Sequence, residues 1–416
     1  MINMNPPEEL SREAVRERFA WARRNGFATW LWPDIDPKDQ RQAAEAVVQA
    51  TCLILAGEKR VTLGCDDAKK VGLEGYLSGM GPLLGYWIET GRLTALPEVA
   101  SLLRLHLFHN RRRMFRLEAV ARSVAEKLSA AGIEPVFFKG MHTAFIYFPE
   151  PGVRPLSDID IYIPPEKMLE AEQILSTLGY EREMCLRDPY MCDWTLPSVR
   201  REPRTLTYVH CDDPWNLDVQ ASLNRLLPTG EKVLLDPLLP TTSRHTWRLS
   251  ASAQVLSQPF LTLHLAAHVS HALQSATLLR LVELVLIVRA DSQNGHLNWD
   301  EFLSAATNIG GRFIYLALFF CEELAPGTIP QHVLAACRDN APAKLCAVIE
   351  ALPLAAIQPL GRHSLRERFM WARGWRGVKN QLACELALDG QGRSAGRMLY
   401  SYGTKLLALS RRRLTA

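Results

Sequence analysis

The spacing of apolar and polar positions changes twice along this chain. From Ser11 to about Ala130 apolar residues recur three and four positions apart, the spacing of helices. Ser11, followed by acidic and apolar residues, reads as a helix start. Arg41 to Gly57, rich in Ala, Gln and Val, reads as a packed helix. Leu96-Pro97-Glu98 opens a longer one that runs through Leu128, and Ala131-Gly132 ends it, as glycine does past a helix C-terminus. Between 131 and about 225 the period drops to two in short runs. Val136-Phe137-Phe138 is an apolar strand closed by Lys139-Gly140, with a helical segment behind it. A turn holding Pro149, Pro151, Gly152 and Pro155 leads into the alternating run Ser157-Asp158-Ile159-Asp160-Ile161-Tyr162-Ile163. A helix follows from about Pro165 to Leu178, with Leu169, Ile174, Leu175 and Leu178 as its apolar face.

Further on, Tyr180 to Leu186 reads as a strand and Arg187 to Arg204 as an irregular loop. Thr205–His210 and Asn216–Ser222 alternate and read as the arms of a hairpin. Leu223 to about Ser257 is rich in Pro and Leu and reads as linking structure. Helical spacing returns from Pro259, broken at Gly310-Gly311, Pro326 to Pro330, Pro342 and Pro359. Arg366 to Arg376 reads as an amphipathic helix and Ser410 to Ala416 as a basic tail. The pattern predicts an α+β fold: a small mixed-sheet core over residues 131–225, flanked by helical regions over 1–130 and 226–416.

Composition narrows the class. A chain of 416 residues has room for two or three domains, and 48% hydrophobic with 22% charged residues is the balance of a soluble globular protein. A net charge of +4 does not by itself call for a nucleic-acid partner. Charged residues or His interrupt every apolar stretch before it could cross a bilayer, and the N-terminus, with Glu8, Glu9 and Arg12, has no signal-peptide core. Nine Cys at irregular spacing, with no Cys-x-x-Cys, fit reduced thiols, so the expected location is cytoplasmic and no membrane partner is expected.

Candidate chemistry sits in the alternating strand. Asp158 and Asp160 share one face while Ile159 and Ile161 share the other. Paired carboxylates repel, and a fold keeps such a pair where a cation lies between them. Oxygen-only ligation suits Mg²⁺ best, with Mn²⁺ the alternative. Asp-x-Asp also occurs on the wet face of surface strands, but these flanks are apolar, as in a core strand. A second acidic residue in an apolar strand is Asp218, which shares a face with Asn216, Gln220 and Ser222. His210, Asp212 and Asp213 compete with it, but they lie on or beside a turn.

The run Phe138-Lys139-Gly140, followed by Arg154-Pro155-Leu156-Ser157-Asp158-Ile159-Asp160, resembles the core signature of the polymerase-β-like nucleotidyltransferases. More closely it resembles their bacterial branch of uncharacterised nucleotidyltransferases, over roughly residues 100 to 290. The resemblance implies a metal-dependent transfer of NMP from an NTP, with ATP the expected nucleotide, to an acceptor, releasing pyrophosphate. Asp158 and Asp160 would then hold the metals, with Asp218 as third ligand. Gln220 stands where the family usually has His. Lys139, Gly140, Arg154 and Ser157 would meet the triphosphate. The small net charge leans toward a small-molecule, peptide or protein acceptor rather than RNA. The alternative is an inactive nucleotide-binding or scaffold protein of the same fold.

Other motifs have plainer readings. His264, His268 and His271 fall on one helical face, but Leu265 stands where a metalloprotease helix carries Glu. Two readings stay open for this helix and the next, which carries Arg280 and Glu283: a wall facing the site that the resemblance implies, with His268 and Arg280 toward the nucleotide, or a helical core. The basic run His109 to Arg113 reads as a solvated helix face or a phosphate-attracting wall. Trp21, Trp30 and Trp32 read as packing residues.

Overall fold

A computed structural model describes residues 35–183, 191–199, 213–226, 232–236, 244–270 and 276–356, with a few short stretches beyond them. The N-terminal helices are α1 (Pro37–Leu55), α2 (Ala68–Leu77), α3 (Gly81–Glu89) and α4 (Pro97–Ala130), with a two-stranded parallel pair, β1 (Val61–Thr62) and β2 (Leu93–Thr94), threaded between them. Asp36 caps α1 by accepting from the Lys38 amide at 2.7 Å, and Asp67 caps α2 from Lys69 at 2.9 Å. Trp21, Trp30 and Trp32 lie outside the described residues, as do Arg187, His210, Asp212 and His271.

The core is a seven-stranded mixed sheet. Its strands are β3 (Val136–Phe137), β4 (Asp158–Tyr162), β5 (Glu181–Arg182), β6 (Met191–Thr195), β7 (Asn216–Gln220), β10 (Arg244–Trp247) and β11 (Ser250–Leu256), and the short pair β8 (Arg225–Leu226) and β9 (Lys232–Val233) stands apart. Across the sheet the order is β10-β11-β3-β4-β7-β6-β5, with β4 and β7 parallel to each other. Helices α5 (Gly140–Ile146) and α6 (Met168–Thr177) connect the early strands.

Three expectations are corrected here. Residues 191–195, read as loop, form a strand, and this strand is the antiparallel neighbour of β7. Residues 205–210, read as an arm of a hairpin, lie outside the described residues. The stretch read as linking structure contributes β10 and β11, so the sheet reaches past residue 225. Finally, Leu169 is 71% exposed, while Leu175 is buried as expected, Ile174 and Leu178 pack partly buried against the same cluster, and Ala171 joins them. Periodicity placed that helix, but the sheet takes a narrower stripe of it.

The two faces of the sheet have different fates. Ile159, Ile161, Leu217, Val219, Phe137 and Val255 pack with the second half of α4, from Met114 to Leu128, in one apolar cluster. Val136, Phe138 and Tyr162 belong to the larger cluster made with the C-terminal helices. Those helices are α7 (Phe260–Ser270), α8 (Leu278–Gln293), α9 (Trp299–Ile309), α10 (Tyr315–Leu324), α11 (Gln331–Asp339) and α12 (Ala343–Ala351). Strand alternation therefore sends the isoleucines to α4 and leaves the aspartates on the face toward α7 and α8. No helix among the described residues is long and apolar enough to cross a membrane.

Candidate active site

Register builds the acidic face. β4 and β7 pair in parallel with Asp158 opposite Asn216 and Asp160 opposite Asp218. Opposite residues on neighbouring strands share a face, so an alternating strand brings its acids together only when its neighbour is in phase. Here it is in phase: one carboxylate oxygen from each of Asp158, Asp160 and Asp218 lies within 4.8 Å of the others. Asp160 and Asp218 are buried, at 3% and 6% exposure, while Asp158 is half-buried. Burial pushes the Asp160 carboxyl well above the usual carboxylate range; the Lys139 ammonium opposes this, and the charges of Asp158 and Asp218 add to it.

Lys139 stands at the end of β3 and reaches into this group. Its Nζ donates to Asp160 Oδ1 and lies 3.8 Å from Asp218 Oδ2. It is the one described non-glycine residue with positive φ, at 52°. That conformation costs roughly 1–3 kcal/mol and persists where the surroundings fix it. The next residue shows how they do so. A Cβ on Gly140 would sit 2.0 Å from Leu156 Cδ2 and 2.4 Å from an Arg154 guanidinium nitrogen, so only glycine fits under that side chain.

A cleft opens beside the carboxylates, bounded by α2, the 154–157 turn, α7 and α8. Lys139, Gly140, Arg154, Ser157, Asp158, Asp160, His268 and Arg280 all line it; Asp218 lies behind Asp160 on the next strand. Arg154 is buried, and its Nε and one terminal nitrogen donate to the two oxygens of Glu283 at 3.1 and 2.8 Å. Its other terminal nitrogen donates to the Pro155 carbonyl at 2.9 Å. His264, one turn before His268, is fully buried against the rings of Phe138 and Phe260, which makes it a core residue. The three carboxylates form the one cluster with metal-ligand spacing among the described residues, and the histidines are not part of it.

The basic run on α4 is divided: Arg112 is exposed, as a solvated face would have it, while its neighbours are engaged. Arg113 is buried and donates to the carbonyls of Leu156, Asp213 and Pro214, at 2.9, 2.5 and 2.6 Å. Asn110 donates to the Gly152 carbonyl at 2.7 Å, and Arg111 pairs with Glu150 and Glu89. These bonds fasten the turn before β4 and the approach to β7 to one helix. Asp213 serves through its backbone, not as a carboxylate ligand.

Sequence reading missed Asp193 on the acidic face, and it noted Gln220 there without giving it a role. Asp193 stands opposite Asp218 across β6 and β7, and Asn216 donates to its Oδ1 at 2.6 Å. Burial, with Asp218, Asp158 and Glu183, pushes its carboxyl up to about 6. Its strand has the sequence Met-Cys-Asp-Trp-Thr, whose alternation was the available signal. Gln220, in the place where a histidine was expected, donates to Asp218 Oδ2 at 2.5 Å and so orients that carboxylate.

A divalent cation fits these residues. The donors are oxygens only, and Asp218 Oδ1 is buried without a hydrogen-bond partner. An ionised oxygen in that position is costly unless something cationic meets it.

Residues 78–326 match the family described as "Uncharacterised nucleotidyltransferase", more than half of the chain. Neither a curated protein nor a solved structure matches the chain.

Proposed function

The chain belongs to the uncharacterised nucleotidyltransferase family, and from that premise we propose that it moves NMP from an NTP, with ATP as donor, to an acceptor. The acceptor is a hydroxyl or phosphate on a small molecule, peptide or protein, and pyrophosphate leaves. One observation carries the reading: three strand-borne carboxylates converge within 4.8 Å, and two of them, Asp158 and Asp160, line a cleft whose walls carry Lys139, Arg154 and Arg280.

Asp158, Asp160 and Asp218 would hold the divalent metal, Mg²⁺ or Mn²⁺. When bound, it supplies Lewis-acid stabilisation of the entering and leaving oxygens of the α-phosphorus. Lys139, Arg154 and Arg280 neutralise triphosphate charge from the wall beside β4, and Ser157 offers a hydroxyl there. His268 borders the same wall and orients the nucleotide. The acceptor oxygen then approaches from the side of β7, in line with the departing pyrophosphate. Its bond to phosphorus forms as the bond to the bridging oxygen breaks. The acceptor's proton leaves to the Asp218 carboxylate. The rival reading, a fold retained without catalysis, leaves the convergence of three acids in one buried place without a purpose, since like charges destabilise a fold.

The test is calorimetric titration of Mn²⁺, with a non-hydrolysable ATP analogue present, into wild type and the Asp158→Asn/Asp160→Asn variant. Binding in wild type and its loss in a folded double variant are expected. Equal metal affinity in both would end the proposal.

A further inference from the structure

Glu283 belongs to the C-terminal helical layer, yet its carboxylate is spent entirely on the catalytic core. It is 2% exposed. Both its oxygens accept from Arg154, and Oε1 also accepts from the Thr143 hydroxyl of α5. The Thr143 amide donates to the Lys139 carbonyl at 2.9 Å, at the positive-φ residue that precedes α5. The Arg154 guanidinium lies over Gly140 and donates to the Pro155 carbonyl. A single acid on α8 therefore fixes the Arg154 plane and touches the first turn of α5 at Thr143.

Arginine carries five N–H donors, and three are used by Glu283 and Pro155. The remaining two belong to a side chain that lines the cleft. A guanidinium already locked in a bidentate pair loses little further entropy when it meets a second anion. We infer that Glu283 is a positioning residue: it presents Arg154 to the nucleotide phosphates, and through it the C-terminal helices set the geometry of the nucleotide site. This rests on the nucleotide-binding reading above and goes beyond it by assigning a role to a residue that acts through Arg154.

A merely structural buried pair makes a different forecast, so a double-mutant cycle separates the two. The dissociation constant of a magnesium complex of a non-hydrolysable ATP analogue is measured for wild type, Glu283→Gln, Arg154→Met, and Arg154→Met with Glu283→Gln. Melting temperature is recorded for each. Glu283→Gln should weaken nucleotide binding at least fivefold when Arg154 is present and have no further effect in the Arg154→Met background. An equal effect in both backgrounds overturns the inference, because Glu283 would then act without Arg154.

Glu283→Gln leaves a buried guanidinium without its counter-charge and can fail to fold, so Arg154→Met/Glu283→Met is the second probe. Exchanging a buried ion pair for apolar side chains is often neutral for stability. That variant should fold and bind the nucleotide as weakly as Arg154→Met alone. Recovery of wild-type affinity would make the pair a strut and overturn the inference. Absence of nucleotide binding in wild type would instead strike the proposed function, and the cycle would show it as such in its first measurement.

Discussion

Asp160 and Asp218 face each other directly across two parallel strands, and the ammonium of Lys139 lies against both. Among the described residues Lys139 is the cation that links them. Removing one charge relieves repulsion and removes a ligand together. Asp218→Asn should raise the melting temperature of metal-free protein, since like charges in low dielectric repel strongly. The same change should weaken Mn²⁺ binding at least about tenfold, which is ~1.4 kcal/mol. A variant that melts lower and binds metal as before would remove Asp218 from the site.

Lys139 occupies, in the metal-free protein, the region a cation would take. Its ammonium competes for Asp160 while supplying charge for a triphosphate. Lys139→Met should therefore have opposite effects on two titrations. Mn²⁺ affinity without nucleotide should rise, because the competing cation has gone. Affinity for the ATP analogue should fall about tenfold, in keeping with about 1.5–3 kcal/mol for a charge-assisted bond. A fall in both titrations would mean that Lys139 supports the carboxylates rather than competing for them.

The site was legible in the sequence where alternation is strict. Asp158 and Asp160 were readable because isoleucines separate them, and Asp218 because Leu217 and Val219 do the same on a second strand. The pairing of those strands could not be read, since register depends on contacts between segments far apart in the chain. Asp193 was missed for a related reason: a five-residue strand flanked by irregular sequence looks like loop until a neighbour pairs with it. Residues 244–256 were misjudged because their mixed polar composition hides a hairpin at one end of the sheet. Arg113 was visible as charge, but its targets are backbone carbonyls 43 to 101 positions away, which no local pattern announces.

Asp193 gives the face a pH dependence. Burial first, then Asp218, Asp158 and Glu183, raise its carboxyl to about 6. The unfolded value is about 3.9, so the folded protein holds this proton more tightly than the unfolded chain. Its ionisation therefore opposes folding: the penalty is full above about pH 6 and fades as pH falls toward about 4. In metal-free buffer Asp193→Asn should melt above wild type at neutral pH, and the two curves should converge on acidification. A gap that stays constant across this range would show that Asp193 ionises at an ordinary value in the folded state.

Gln220 stands where the resemblance implies a histidine, and the structure gives the glutamine a partner. Its amide donates to Asp218 Oδ2 at 2.5 Å, and both side chains are buried. The bond fixes one oxygen of the carboxylate and leaves the other, Oδ1, without a protein partner. Gln220→Leu keeps the volume and removes the donor. A buried carboxylate oxygen then loses a bond worth about 1.5–3 kcal/mol, so metal-free stability should fall by that order. Metal affinity should fall by roughly tenfold or more, because groups that orient a ligand contribute on that scale. Gln220→His keeps an N–H donor on a ring of similar reach, and should hold metal affinity much closer to wild type than the leucine variant does. Denaturant melts and Mn²⁺ titration of the two variants decide the matter. Equal metal affinity in Gln220→Leu and wild type would mean that the carboxylate needs no orienting bond, and that the strand register alone places it.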